Sequence, residues 1–123
     1  MDEATATARL QSMTAHDVDP TLSEAEITAL LKQFARPDAF GALPSDVDYV
    51  PTWDLNGAAA QGWLNKSAKC SNRFAFSSDV NSFDRNQVFD HCMKMHERYA
   101  RRAAQSLTIG NSGNIDPVIG NLG

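Results

Sequence analysis

Cys92 and His96 stand four residues apart in a stretch of helical period, which brings a thiol and an imidazole to one side of a helix. Such a pair could hold a metal ion, with Cys70 and His91 as candidates to complete the set. Structural zinc sites ordinarily carry two close ligand pairs, such as C-x-x-C with H-x-x-x-H, and only one pair is present here. Cys92 also falls on the apolar stripe of its segment, where it reads as a small buried hydrophobe. No metal and no cofactor are therefore expected. Catalysis has less support still. The chain has no Gly-x-Ser-x-Gly elbow, no glycine-rich phosphate loop and no inward pair of carboxylates at helical spacing. His16 lies in a weakly patterned stretch. The expectation is of a protein that is not an enzyme. What remains is surface charge: Lys94, Arg98, Arg101 and Arg102 fall at helical spacings on adjacent faces near one helix end. They suit a solvated end matched to the helix dipole, contact with an acidic neighbouring subunit, or DNA passing nearby.

Composition bounds the scaffold that must carry these groups. The chain has 123 residues and 13.4 kDa, which suits one domain with a modest core. Apolar residues make up 42% and charged residues 21%, the balance of an ordinary globular protein. The formal charge of −4 argues against a dedicated nucleic-acid binder, whose affinity comes from neutralising phosphates. No apolar run approaches the roughly 18–20 residues that span a bilayer, so no membrane role is expected. Met1-Asp2-Glu3-Ala4 lacks the apolar core of a secretory signal, and the two cysteines read as reduced thiols, both pointing to an intracellular chain. The charge is uneven. Residues 1–60 carry ten acids and three bases, a net of −7, and residues 61–123 carry five acids and eight bases, a net of +3. A chain split in this way can order copies of itself head to tail.

The pattern along the chain predicts an all-α protein, a small bundle of about four helices. Residues 1–20 form an N-terminal segment with one weak helix, carried by Ala6, Leu10 and Met13. A helical domain covers 21–106. It opens with Ser23 and Glu26 as a capping box and Leu22 and Ile27 as a hydrophobic staple, predicting a helix over 24–35 that stops at Arg36-Pro37. Residues 38–53 read as a long loop laid over a surface, anchored by Phe40, Leu43, Tyr49 and Trp53. From Asp54 a third helix places Leu55, Ala58, Ala59, Trp63, Cys70 and Phe74 on one face, with Lys66, Lys69 and Arg73 on the remainder. Gly57 and Gly62 inside it point to close approach of a neighbouring element. Phe74-Ala75-Phe76-Ser77 alternates at period two, predicting a short hairpin-like connection through Asp79. The last helix is expected over 85–106, capped by Asp84 with Gln87 closing the box, Phe83 and Val88 as the staple, and Cys92, Met95 and Tyr99 continuing the stripe. Arg85 can pair with Asp79 to hold the hairpin against that helix. Residues 107–123 then form an extended tail, in which Ile109, Ile115, Val118, Ile119 and Leu122 are spaced between Gly and Asn, as in a peptide that adds to a partner's surface.

An ordered series of short motifs adds a resemblance. It runs Ser23-Glu24-Ala25-Glu26-Ile27, Ala35-Arg36-Pro37-Asp38, then Pro51-Thr52-Trp53-Asp54-Leu55-Asn56, Ala58-Ala59-Ala60 and Gly62-Trp63. It continues with Arg73-Phe74, Phe76-Ser77, Asp79, Ser82-Phe83, Arg85, Gln87, His91-Cys92, Met95 and Tyr99-Ala100-Arg101-Arg102. Taken together, residues 21–106 resemble the head–tail adaptor (connector) proteins of long-tailed bacteriophages. Val80 departs from the glycine expected after Asp79, and Asn86 from a more usual serine. The resemblance implies a virion protein of the neck, made in the host cytoplasm, that assembles with copies of itself into a ring of about twelve. That ring would sit beneath the portal protein, extend the channel through which genomic DNA passes without its sequence being read, and offer a platform to the next connector or tail protein. The tail would reach the portal, since residues 107–123 stretch to about 55 Å at about 3.3 Å per residue. The competing expectation is a small helical DNA-binding or regulatory protein, which would need a basic face and binding that falls steeply with salt.

Overall fold

The computed structural model describes residues 1–76 and 82–111, with backbone alone at 72–76, 82–85 and 106–111. Four helices follow one another: α1 (Glu3–Thr14), α2 (Glu24–Gln33), α3 (Leu55–Phe76) and α4 (Ser82–Asn111). Among the described residues there is no strand, only an isolated antiparallel bridge between Ala35 and Trp53. The chain is all-α, as its periodicity predicts.

Each start has a local cause. Asp2 caps α1, its Oδ1 accepting from the Thr5 amide at 2.8 Å. Ser23 and Glu26 form the expected capping box at α2: the Glu26 amide donates to Ser23 Oγ at 3.1 Å, and the Ser23 amide donates to Glu26 Oε1 at 2.9 Å. Such a cap contributes about 1 kcal/mol. Asp54 opens α3 by accepting from the Gly57 amide at 2.9 Å. α1 ends where Ala15 turns left-handed at φ 47°, its amide reaching back to the carbonyls of Gln11 and Ser12.

α3 is the centre of the fold and packs against each of the other three helices, while α1 also touches α2. Ala6 and Leu10 of α1, Ile27, Leu30 and Leu31 of α2, Ala58, Ala59 and Trp63 of α3, and Cys92 and Tyr99 of α4 share one core. The N-terminal helix is thus part of the same core as the rest. Gly62 shows why a small residue is needed in α3: a Cβ built there would stand 2.8 Å from Thr14 Cγ2 and 3.4 Å from both Leu22 Cδ1 and Leu30 Cδ1.

The second half of the chain departs from expectation in three places. α3 runs through Phe76, so Phe74–Phe76 is helical rather than extended; a period-two pattern three residues long cannot outweigh a helix already five turns long. α4 begins at Ser82, which puts Asp84 and Arg85 inside the helix and not at its cap. It also continues to Asn111, so the segment expected as extended from 107 is helical for its first five residues, Ile109 included. Asp79, Ile115, Val118, Ile119 and Leu122 lie outside the described residues, as do the side chains of Asp84, Arg85 and Ile109, and with them the proposed Arg85–Asp79 pair.

Candidate functional site

Two lysines of α3 hold the connection between α1 and α2. Lys66 was expected on the outer face, yet it is only 1% exposed. Its Nζ donates to the carbonyls of Thr14 at 2.8 Å and Ala15 at 2.7 Å and lies 4.3 Å from the centroid of the Trp63 ring. Those carbonyls close the C-terminal end of α1, where the helix leaves acceptors unpaired and the dipole favours a cation. Burial pushes the Lys66 ammonium below the ordinary lysine range, opposed chiefly by the nearby Cys92, Asp17 and Asp19. One turn on, Lys69 donates to the Thr21 carbonyl at 2.7 Å and to Glu26 Oε1 at 2.7 Å. The hydrogen bond from Lys69, then that from the Ser23 amide, holds the Glu26 carboxyl below its usual range. Trp63 adds a third tie, its Nε1 donating to the Met13 carbonyl at 2.9 Å.

Around the Cys92–His96 pair the described contacts are to backbone and to an aromatic ring. His96 Nδ1 lies 2.8 Å from the Ala60 carbonyl, and His91 meets the Trp63 ring edge-on with centroids 5.4 Å apart. Cys92 is buried, and that burial raises its thiol pKa. Among the described residues no three His, Cys, Asp or Glu side chains come together as a metal would require. A cleft of about 570 Å³ does open between the Ala15–Pro20 turn and helices α3 and α4, lined by Val18, Pro20, Trp63, Val88 and Cys92. Asp19, Gln87 and His91 also line it, and the Lys66 amine beside it is engaged by two carbonyls.

The surface groups are more telling. Lys94, Arg98, Arg101 and Arg102 are all exposed on α4, but with the helix running on to Asn111 they lie two turns or more before its end and not at it, so the expected match to the helix dipole is not made; Gln87 is exposed nearer its start. Arg102 stacks over Tyr99 with Cζ 5.2 Å from the ring centroid. Among the described residues α4 packs against α3 and against no other helix, and these four side chains are exposed along the flank of that contact. At about 1.5 Å per residue the helix is about 45 Å long, so the side of it not packed on α3 is a broad surface.

The loop between α2 and α3 is the other surface. Two side chains lock it. Asp38 Oδ1 accepts from the amides of Phe40 and Ala42 at 2.9 Å each, and Oδ2 accepts from the Val50 amide at 3.0 Å. The Tyr49 hydroxyl lies 2.7 Å from the Arg36 carbonyl and 2.9 Å from the Thr52 carbonyl, and accepts from the Thr52 amide at 3.0 Å. The Arg36 amide donating to Thr52 O and the Asp54 amide donating to Phe34 O, both 2.9 Å, zip the base of the loop shut. Gly41 takes φ +86°, a left-handed value that the turn after Phe40 requires. Tyr49 and Trp53 are half-buried, in keeping with their expected role as anchors. Phe40 and Leu43 are not anchors. Phe40 is 91% exposed, Leu43 52% and Val47 100%, so the locked loop holds a row of apolar side chains out to solvent.

Amide hydrogen bonds, that of Val50 first and then those of Ala42 and Phe40, keep the Asp38 carboxyl below the usual aspartate range. Loop order linked to this group is complete above the ordinary aspartate value of about 3.9 and is lost as pH falls through the lowered native one. Asp38→Ala is expected to leave helix content intact while chymotrypsin cuts at Phe40 about tenfold faster. Unchanged cleavage would show that Asp38 does not hold the loop.

No protein-family model matches the chain, and no match was found among curated proteins or solved structures.

Proposed function

We propose that the chain is a structural head–tail adaptor of a tailed phage particle, which forms a ring of about twelve copies between the portal and the tail. The observation that carries this reading is the pairing of a locked loop, with Phe40 and Val47 held in solvent, and a long basic helix face unused within the bundle. Apolar side chains held out on an ordered loop are what a protein interface is built from, and their exposure in a lone chain calls for a partner. The ordered motif series over residues 21–106 and the helical architecture agree with it. The work done is binding and ordering, with no turnover. DNA would pass through the ring without sequence reading, and the formal charge of −4 weighs against the chain being a DNA binder in its own right.

In this reading the residues beyond α4, with Ile115, Val118, Ile119 and Leu122, reach the portal, and many weak tails engaged at once hold far better than one. Particles assembled without the chain are expected to fill with DNA and fail to join tails, with joining restored by added protein. Normal joining without it would overturn the proposal. Deleting residues 112–123 should leave the helical content by circular dichroism unchanged while head attachment weakens at least about tenfold, given the loss of several simultaneous contacts. Unchanged attachment would remove the tail from the mechanism.

A further inference from the structure

We propose that the 38–50 loop of one copy seats on the basic side of α4 of the next, and that this head-to-tail contact is the repeating joint of the assembly. The inference rests on the ring reading above and names the two surfaces that would make it.

Charge is the first argument. Between Asp38 and Asp54 the chain carries four acids and no base, whereas from Asp90 to Asn111 it carries Lys94, Arg98, Arg101 and Arg102 against two acids, Asp90 and Glu97. Each set keeps a net charge. Among the described residues the ion pair present is Lys69–Glu26, so Asp46 and Asp48 on the loop and Lys94, Arg98 and Arg101 on the helix have no opposite charge in contact. The Asp46 carboxylate accepts from the Leu43 amide, which leaves its charge uncompensated, and Asp48 is exposed.

Shape and chemistry supply the second. Lys94 and Arg98 stand one turn apart, and their aliphatic stems make an apolar ledge between charged ends. Phe40 and Val47 are the side chains on the loop that need such a ledge, and a guanidinium lying over the Phe40 ring gains further attraction. The two surfaces differ from each other, so the contact is heterologous: each copy offers a loop to one neighbour and a helix face to the other. Contacts of this kind continue from copy to copy and close into a ring when the rotation allows.

The test uses the full chain in equal mixture of ¹⁴N- and ¹⁵N-labelled protein, treated at low salt with a carbodiimide, which joins a carboxylate directly to a lysine amine. Mass spectrometry of the digest should show Asp46 or Asp48 of one label joined to Lys94 of the other. That product should vanish at about 1 M salt, where the screening length falls to about 3 Å. Arg98→Glu together with Arg101→Glu, both on exposed positions, should lower its yield at least about tenfold, as should Val47→Arg, which removes the apolar contact and repels the basic face. Absence of the mixed-label product in the unaltered chain, or an undiminished yield in the variants, would overturn the contact. The two readings can fail separately. Mixed-label joining by a chain that does not bind DNA-filled heads would keep the contact and remove the adaptor role; head binding without mixed-label joining does the reverse.

Discussion

Lys66→Ala is expected to lower the free energy of unfolding by about 4 kcal/mol, read as a shift in the urea midpoint with little change in slope. Two losses combine. The carbonyls of Thr14 and Ala15 each lose a charge-assisted donor, and the buried four-carbon stem beside Trp63 leaves a void. Lys66→Met separates them: it keeps the packing, orphans the same carbonyls, and should cost about 2 kcal/mol. A loss below about 0.5 kcal/mol in the methionine variant would show that the ammonium merely fills space, since surface substitutions fall in that range.

The same residue sets a pH signature. Its native pKa is depressed by burial, so between that value and the ordinary lysine value of about 10.4 the unfolded chain binds more protons than the native one. In that window stability due to Lys66 rises with pH; below the native value it has no slope. Cys92 acts in the opposite sense, because burial raises its thiol pKa and the unfolded chain ionises first, which lowers stability as pH climbs past about 8.5. Lys66→Met should therefore steepen the alkaline loss of stability, and Cys92→Ala should flatten it.

Gly62→Leu is expected to cost about 3 kcal/mol, and thermal unfolding should begin with release of α1. The side chain would be driven into Thr14 at the end of α1, Leu22 in the connection and Leu30 of α2, all of which face Gly62. Gly62→Ala is the finer probe. Alanine gains about 1 kcal/mol in helix propensity over glycine, but its Cβ meets Thr14 Cγ2 at 2.8 Å. Thr14→Ser removes that methyl while keeping the hydroxyl that donates to the Leu10 carbonyl at 2.8 Å. Combined with Gly62→Ala it should recover about 1 kcal/mol over the single alanine variant, and strict additivity of the two would show that they do not touch.

What could be read in advance was local. Ser23 and Glu26 are three residues apart and satisfy each other's backbone, so the box forms wherever the chain takes that turn. The close approach at Gly62 was legible because a glycine inside a helix asks for a reason. The role of Lys66 was not, because its acceptors lie 51 and 52 residues away in the chain. One signal was present: Trp63, Lys66 and Cys70 repeat at i, i+3 and i+7, so the lysine stands in the buried stripe itself. The loop misled for a different reason. Aromatic residues suggested where it was pinned, but the pinning is polar, through Asp38 and Tyr49, and that frees Phe40 to face outward. Asp38 followed three residues later by Gly41 is a turn signature that could have exposed this. At the start of α4, Asp84 and Gln87 mimic a capping box, yet the helix already begins at Ser82.

In the ring proposed above, the locking of the 38–53 loop would bear on how tightly successive copies hold. A contact segment that must order as it docks gives up conformational entropy at that moment, about 0.5–1.5 kcal/mol for each long side chain immobilised and more for backbone. Here Asp38 and Tyr49 have already set the backbone in the lone chain. A small footprint could then reach useful affinity, and the angle between proposed neighbours would be decided before they meet. Such preorganisation would let the number of members in the closed assembly be written into one chain's geometry, with no external template.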